Sequence, residues 1–261
     1  MTTHFIGTLA VEVEGDGMPV VCVHGLGGTS NTWTPLMAAL QGHRIIRIDL
    51  PGSGRSAALA GESGIERYCD AVLAVCRELG VARAHFAGHS MGTIVCQHIA
   101  VRHPALVQSL ALFGPLLCPP DAGRPAILAR ANKAAAGGAP AMQEIADAIV
   151  AGATSKETKQ QQPAVIALVR ESVMRQPPEG YAQSCRALAG AQGAALEDIA
   201  APTLLVTGDQ DAVAPPAAVS AMKERIAGSR MVVLEGCGHW TTFEKAGECV
   251  EELERFYQSL N

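Results

Sequence analysis

Short apolar runs that end in polar, glycine-rich clusters recur along this chain. Residues 20–23 run into His24-Gly25-Leu26-Gly27-Gly28, and residues 44–48 into Asp49-Leu50-Pro51-Gly52-Ser53-Gly54-Arg55-Ser56. Residues 84–87 run into Gly88-His89-Ser90-Met91-Gly92, residues 203–207 into Gly208-Asp209-Gln210-Asp211, and residues 231–234 into Gly236-Cys237-Gly238-His239-Trp240. Brief β-branched runs bounded by turn residues are the pattern of strands buried on both faces. Residues 106–113 give a further strand after Pro104, and residues 5–13, with partial alternation, a single one near the N-terminus. Between the strands the period changes to that of helices: 35–40, with Thr34 as N-cap and Pro35 in the first turn, then 65–79, stopped by Gly80, and 91–101. Near the C-terminus come 215–227 and 242–260, the last with a one-sided stripe of Val250, Leu253, Phe256, Tyr257 and Leu260. Strands alternating with helices predict an α/β fold, a mostly parallel sheet with helices on both faces.

The rhythm breaks between residues 119 and 195, where no strand pattern occurs and helical candidates lie at 139–151, 157–174 and 181–189. Pro119 and Pro120 forbid an ordinary crossover helix at its start. The segment predicts an inserted helical lid, with 1–118 and 196–261 forming the core domain.

Composition narrows the function classes. The 261 residues are 48% hydrophobic and 17% charged, the balance of a folded chain, and the formal charge of −5 argues against a nucleic-acid footprint. No apolar run is long enough to span a membrane, and no basic segment followed by an apolar stretch opens the chain, so a cytoplasmic protein without membrane partners is expected. The eight cysteines are scattered, without a C-x-x-C, and read as small buried hydrophobes rather than a disulfide framework. The histidines form no compact ligand set and the glycine-rich loops lack phosphate-cradle spacing, so neither metal nor organic cofactor is expected.

The candidate chemistry sits at the C-terminal ends of the strands, the edge where open α/β sheets bind their ligands. Gly88-His89-Ser90-Met91-Gly92, after a strand and before a helix, has the context of a nucleophile elbow, with Ser90 exposed at the tip. A serine hydroxyl needs a base, and His239, carried on a glycine-rich loop, is the candidate. The base needs a carboxylate to fix its tautomer. Asp211 is preferred over Asp209 because it lies further along its loop and reaches toward His239, leaving Asp209 to brace a turn. The backbone N–H groups of Leu26 and Met91 are the candidate oxyanion donors. Trp33, Phe113 and Trp240 flank the motif loops and are candidates for an apolar, substrate-binding wall. Arg124, Arg130, Arg170, Arg175 and Arg186, in the inserted segment, are candidates to pair with an acidic substrate.

Taken together, these motifs resemble the α/β-hydrolase superfamily over nearly the whole chain. The resemblance implies a Ser90–His239–Asp211 triad and puts an oxyanion donor on Leu26. With serine at the nucleophile position, the chain does not resemble the haloalkane dehalogenases. Within the superfamily it looks most like the 3-oxoadipate enol-lactonase and small bacterial esterase branch, through residues 79–85, Pro178-Glu179-Gly180-Tyr181-Ala182 and Cys185. Thr93 stands where related C–C bond hydrolases often carry a second glycine. The expected function is hydrolysis of a small carboxylic ester or lactone through an acyl-enzyme. C–C bond hydrolysis of ring-fission diketones, amide hydrolysis, and ligand binding without catalysis remain as alternatives.

Overall fold

A computed structural model describes residues 2–260. Eight strands, β1 (Thr2–Ile6), β2 (Leu9–Glu14), β3 (Pro19–Val23), β4 (Arg44–Ile48), β5 (Ala84–His89), β6 (Val107–Phe113), β7 (Thr203–Gly208) and β8 (Arg230–Leu234), form one sheet. Their order is β1-β2-β4-β3-β5-β6-β7-β8. The first two strands run antiparallel and the rest are parallel. The single strand predicted over 5–13 is instead a hairpin broken at Gly7, which turns with φ +58°. The central strands are buried on both faces, as the apolar runs imply: in β3, Val21 and Val23 face one core layer and Val20 and Cys22 the other, whereas the edge strand β1 is largely exposed.

The first layer is closed by α1 (Ile65–Glu78), α2 (Met91–Arg102) and α7 (Pro216–Arg225). The second is closed by a 3-10 segment, Ser30–Leu40, and by α9 (Ala246–Gln258), which brings in Leu253, Phe256 and Tyr257 from the predicted stripe. The helix expected over 35–40 starts earlier and is of the tighter kind. Its cap is Thr29, which accepts from the Asn31 N–H, while the Thr34 hydroxyl accepts from Arg47. The helix predicted over 242–260 is split by Lys245, with φ −134°, into α8 (Thr241–Glu244) and α9.

Between β6 and β7 the chain is helical, in α3 (Arg124–Ala153), α4 (Lys156–Gln161), α5 (Pro163–Met174) and α6 (Pro178–Gly190). The first turns of α3 lie outside the helices predicted from sequence. Alanines and small residues dilute its apolar stripe, and Gly138, at φ +56° and ψ −144°, breaks it in two. These helices share their own apolar cluster, built on Met142, Val169, Val173 and Tyr181, with Trp240 and Phe243 from the chain after β8. They meet the core through the loops at the C-terminal ends of the strands. Ala153 O accepts from the His239 N–H at 2.8 Å, and Gln176 donates to Gly27 and Gly28 carbonyls at 3.2 Å. Among the described residues no helix is long and apolar enough to cross a membrane.

Candidate active site

The sheet order explains why the serine and the Leu26 loop meet. From β3 the chain passes to β4 on one side and later to β5 on the other, so the loops after β3 and β5 leave a crevice at the switch point. Ser90 sits at that crevice with φ 52° and ψ −122°, the one non-glycine residue at positive φ among those described. The strained turn lifts its hydroxyl off the sheet edge and starts α2 immediately afterwards. A close approach on the far side requires glycine: a Cβ at Gly92 would lie 2.1 Å from the Val23 carbonyl oxygen.

The three residues expected to act together are in contact. Asp211 Oδ2 is 2.8 Å from His239 Nδ1, and His239 Nε2 is 2.8 Å from Ser90 Oγ. The carboxylate can only accept from Nδ1–H, so Nε2 is left to accept from the serine hydroxyl. Burial pushes the Asp211 carboxyl up, but the charge and hydrogen bond of His239, with the Ala214 and Val213 N–H groups, outweigh it and hold the carboxyl below its ordinary range. Asp209 is exposed and accepts from the Cys237 N–H at 3.0 Å. It braces, as expected, but across to the loop that carries His239 rather than within its own turn.

The Leu26 N–H makes no backbone hydrogen bond among the described residues. The Met91 N–H stands at the first position of α2, where a helix offers no acceptor of its own. His24 stiffens the Leu26 loop. Its Nε2 accepts from the Leu50 N–H at 2.9 Å, and its Nδ1–H donates to the Gly25 carbonyl at 2.8 Å. Burial keeps this ring neutral by lowering its pKa.

Trp240 follows His239 and packs between the His89 ring and Phe243, inside the cluster of the inserted helices. Trp33 and Phe113 correct the expectation of an apolar wall. Both are fully buried in the second core layer, edge to face at 6.0 Å, where they pack the sheet against the Ser30–Leu40 segment. They flank the motifs in sequence, but strand alternation turns Phe113 toward the core.

Two residues that the sequence reading missed tie the site to the inserted helices. Buried Glu244 accepts from the N–H groups of Gly238 (3.1 Å) and Trp240 (3.0 Å), on either side of His239. It also accepts from Ser155 N–H and the Thr158 hydroxyl at the start of α4. Gln176 accepts from Gly54 N–H while donating to the Gly27 and Gly28 carbonyls. Neither residue lies in a motif: Gln176 falls in the bend between α5 and α6 and Glu244 in a single-turn helix, where no periodicity marks burial, and the position of Glu244 five residues past His239 was the sole cue. Among the described residues no group of three or more His, Cys, Asp and Glu side chains is placed to hold a metal ion.

The alpha/beta hydrolase fold family matches residues 18–246 of the chain. The chain belongs to that family. As an α/β hydrolase it superposes on a thermophilic esterase from Thermogutta terrifontis with a TM-score of 0.91 and 26% identity, over 97% of this chain and 93% of the other. It superposes on the enol-lactonase of Burkholderia xenovorans with a TM-score of 0.89 and 27% identity, over 98% and 100%. In sequence it is 31% identical over 120 residues to an (E)-2-((N-methylformamido)methylene)succinate hydrolase from Acinetobacter baylyi, a match spanning 46% of each chain. It therefore spans less than half the length of that curated relative.

Proposed function

We propose that this α/β hydrolase cleaves small carboxylic esters or lactones through an acyl-enzyme on Ser90. The observation that carries the reading is the continuous relay from Ser90 Oγ through His239 to Asp211, 2.8 Å at each step. Ser90 Oγ attacks the carbonyl carbon as its proton passes to His239 Nε2. The carbonyl oxygen takes the negative charge and is received by the Leu26 and Met91 N–H groups. Asp211 steadies the imidazolium through Nδ1–H, and His239 then returns the proton to the leaving oxygen as the C–O bond breaks. In a lactone that oxygen stays tethered to the acyl chain. Water, deprotonated by His239, attacks the acyl-enzyme and releases the acid and the serine. The sequence needs no cofactor.

The helices between β6 and β7 act in this reading as a lid, residues 119–195, that covers the substrate and excludes water. What supports it is their bonding to the loops of Leu26 and His239. Trp240 supplies an apolar wall where lid and His239 loop meet. A cytoplasmic setting fits the eight unpaired thiols. The likenesses to an esterase and an enol-lactonase support an oxygen ester or lactone as substrate. The test is a panel of aliphatic esters, enol lactones, N-acyl lactones, amides and ring-fission diketones scored by kcat/KM, with burst kinetics on an activated aryl ester. Esters or lactones should rank first with a stoichiometric burst. Absence of both burst and turnover would leave a binding protein on the same scaffold.

A further inference from the structure

His89 closes β5 immediately before Ser90 and is only 1% exposed. None of the steps written for the relay uses it. Its Nε2 lies 3.0 Å from the carbonyl oxygen of His239. A carbonyl can only accept, so this ring carries its proton on Nε2. Nδ1 is then a bare lone pair, buried without a hydrogen-bond partner. It faces the backbone of Gly25: a Cβ placed there would lie 3.3 Å from His89 Nδ1 and 2.6 Å from the Ser90 Cβ. One ring therefore stands between the loop of His239 and the loop of Leu26, and its own backbone leads into Ser90.

The bond completes a grip on the backbone of His239. Ala153 of α3 accepts from the His239 N–H at 2.8 Å, and His89 donates to the His239 carbonyl. The first tie comes from the inserted helices, the second from the strand that carries Ser90. Among the described residues, the turn around Ser90 is hydrogen-bonded to the His239 loop at two places, the Ser90–His239 side-chain contact and this one. The two histidine rings lie 5.3 Å apart at 41°, and Trp240 packs on His89 at 5.5 Å. A second proton on His89 would set a donor against Gly25 with nothing to accept from it. It would also put a second cation beside His239 whenever that ring is charged. Burial, and after it the His239 charge, takes the His89 ring down to about 3, so it is neutral where an ordinary histidine titrates.

We propose that His89 is a positioning residue, whose Nε2–H fixes His239 at the distance and angle from Ser90 that proton transfer needs. The proposal rests on the hydrolase reading for the transfer itself, but the placement of the His239 ring can be read without turnover. A base serves a hydroxyl only over a narrow range of distance and angle, and Nε2–H of His89 ties the chain of one to the chain of the other. The position calls for a donor without charge. Lysine or arginine would donate but would repel the imidazolium that forms on His239. A neutral imidazole of fixed tautomer does not.

Three variants separate the donor from the ring. In His89→Gln the amide nitrogen reaches the place of Nε2, in His89→Asn it stops at the level of Nδ1, and His89→Phe keeps the bulk without a donor. With an activated aryl acetate as substrate, His89→Asn and His89→Phe should lower kcat about 10–100-fold with KM within about twofold, the mark of a displaced base. His89→Gln should stay within about threefold of the wild type, since the donor is back in place. Nitrogen-15 spectra of the histidine rings, recorded without substrate, give the second reading. The wild type should show His239 with its proton on Nδ1 and His89 neutral with its proton on Nε2. In His89→Asn and His89→Phe the His239 ring should become a mixture of tautomers, because a ring moved off Asp211 loses what holds its proton on Nδ1, and His89→Gln should restore it. An unchanged kcat and tautomer in His89→Asn overturns the proposal, whether or not His89→Phe folds. So does a loss in His89→Gln as deep as in His89→Asn, which would mean that the ring only fills space. A tautomer that follows His89 in a protein that turns over no ester would sink the hydrolase reading and leave the placement standing. Ester turnover with both readings indifferent to His89 would do the reverse.

Discussion

Ser90 combines two properties that a substitution separates: its hydroxyl and its strained backbone. Ser90→Ala and Ser90→Gly should both lower kcat/KM by several orders of magnitude, since either removes the oxygen that would carry the acyl group. Their stabilities should differ. At φ 52° and ψ −122° a side chain is strained by about 1 kcal/mol or more, and glycine relieves that strain. Thermal melts should place Ser90→Gly above Ser90→Ala by a few degrees; the opposite order would mean that the surrounding packing, not the turn, sets the local energy. The two aspartates separate in the same way. Asp211→Asn should cost about 10³–10⁴-fold in kcat, because an amide can present its N–H₂ to Nδ1 and invert the tautomer. Asp209→Asn keeps a carbonyl oxygen for the Cys237 N–H and should change kcat less than about threefold. Steady-state kinetics on the pair decides the assignment, and a deeper loss at Asp209 would reverse it.

At the scale of elements, the inserted helices are attached through backbone groups to the loop that carries His239. The end of α3 accepts from the His239 N–H, and one carboxylate, Glu244, grips the chain on both sides of His239 and the start of α4. With His239 as the proposed base, Glu244 is expected to act as a positioning residue. Glu244→Gln keeps the volume but turns an amide N–H₂ toward donors, so it should cost about 2 kcal/mol of stability and lower the melting temperature by several degrees. It should also lower kcat with little change in KM, since the base is displaced and the substrate contacts remain. A fall in melting temperature with kcat intact would reduce Glu244 to a structural tie.

For the whole molecule, buried histidines set the response to acid. Burial lowers His24, takes His85 down to about 4 and takes His89, next to the His239 charge, down to about 3. Unfolded, each binds a proton near pH 6.5, and the native state refuses it. The unfolded state therefore holds more protons below pH 6.5, and stability should fall as the pH drops from there toward 4. Urea titrations at steps between pH 7 and pH 4 should show that slope. His85→Gln, at a ring bonded in the wild type to the Ser109 hydroxyl and away from Ser90 and Asp211, should make it shallower. An unchanged slope would mean that His85 takes up its proton in the folded state.

The sequence by itself determined the alternation of buried strands and covering helices, and the loop ends at which Ser90, Asp211 and His239 stand. Period and punctuation are local properties, and each motif is fixed by a turn that only certain residues can make. It could not determine which polar residues would be buried. Glu244 and Gln176 have no local signature, because their partners are backbone groups of loops far away in the chain. Trp33 and Phe113 were placed near the site by neighbourhood in sequence, and strand alternation sent Phe113 into the core instead. Among five similar arginines of the inserted helices, only the packing of α3 against α6 decided that Arg130 would lie beside Tyr181 and Cys185. Burial and pairing are settled by what the rest of the chain brings alongside, and that is decided when the sheet and the inserted helices close on one another.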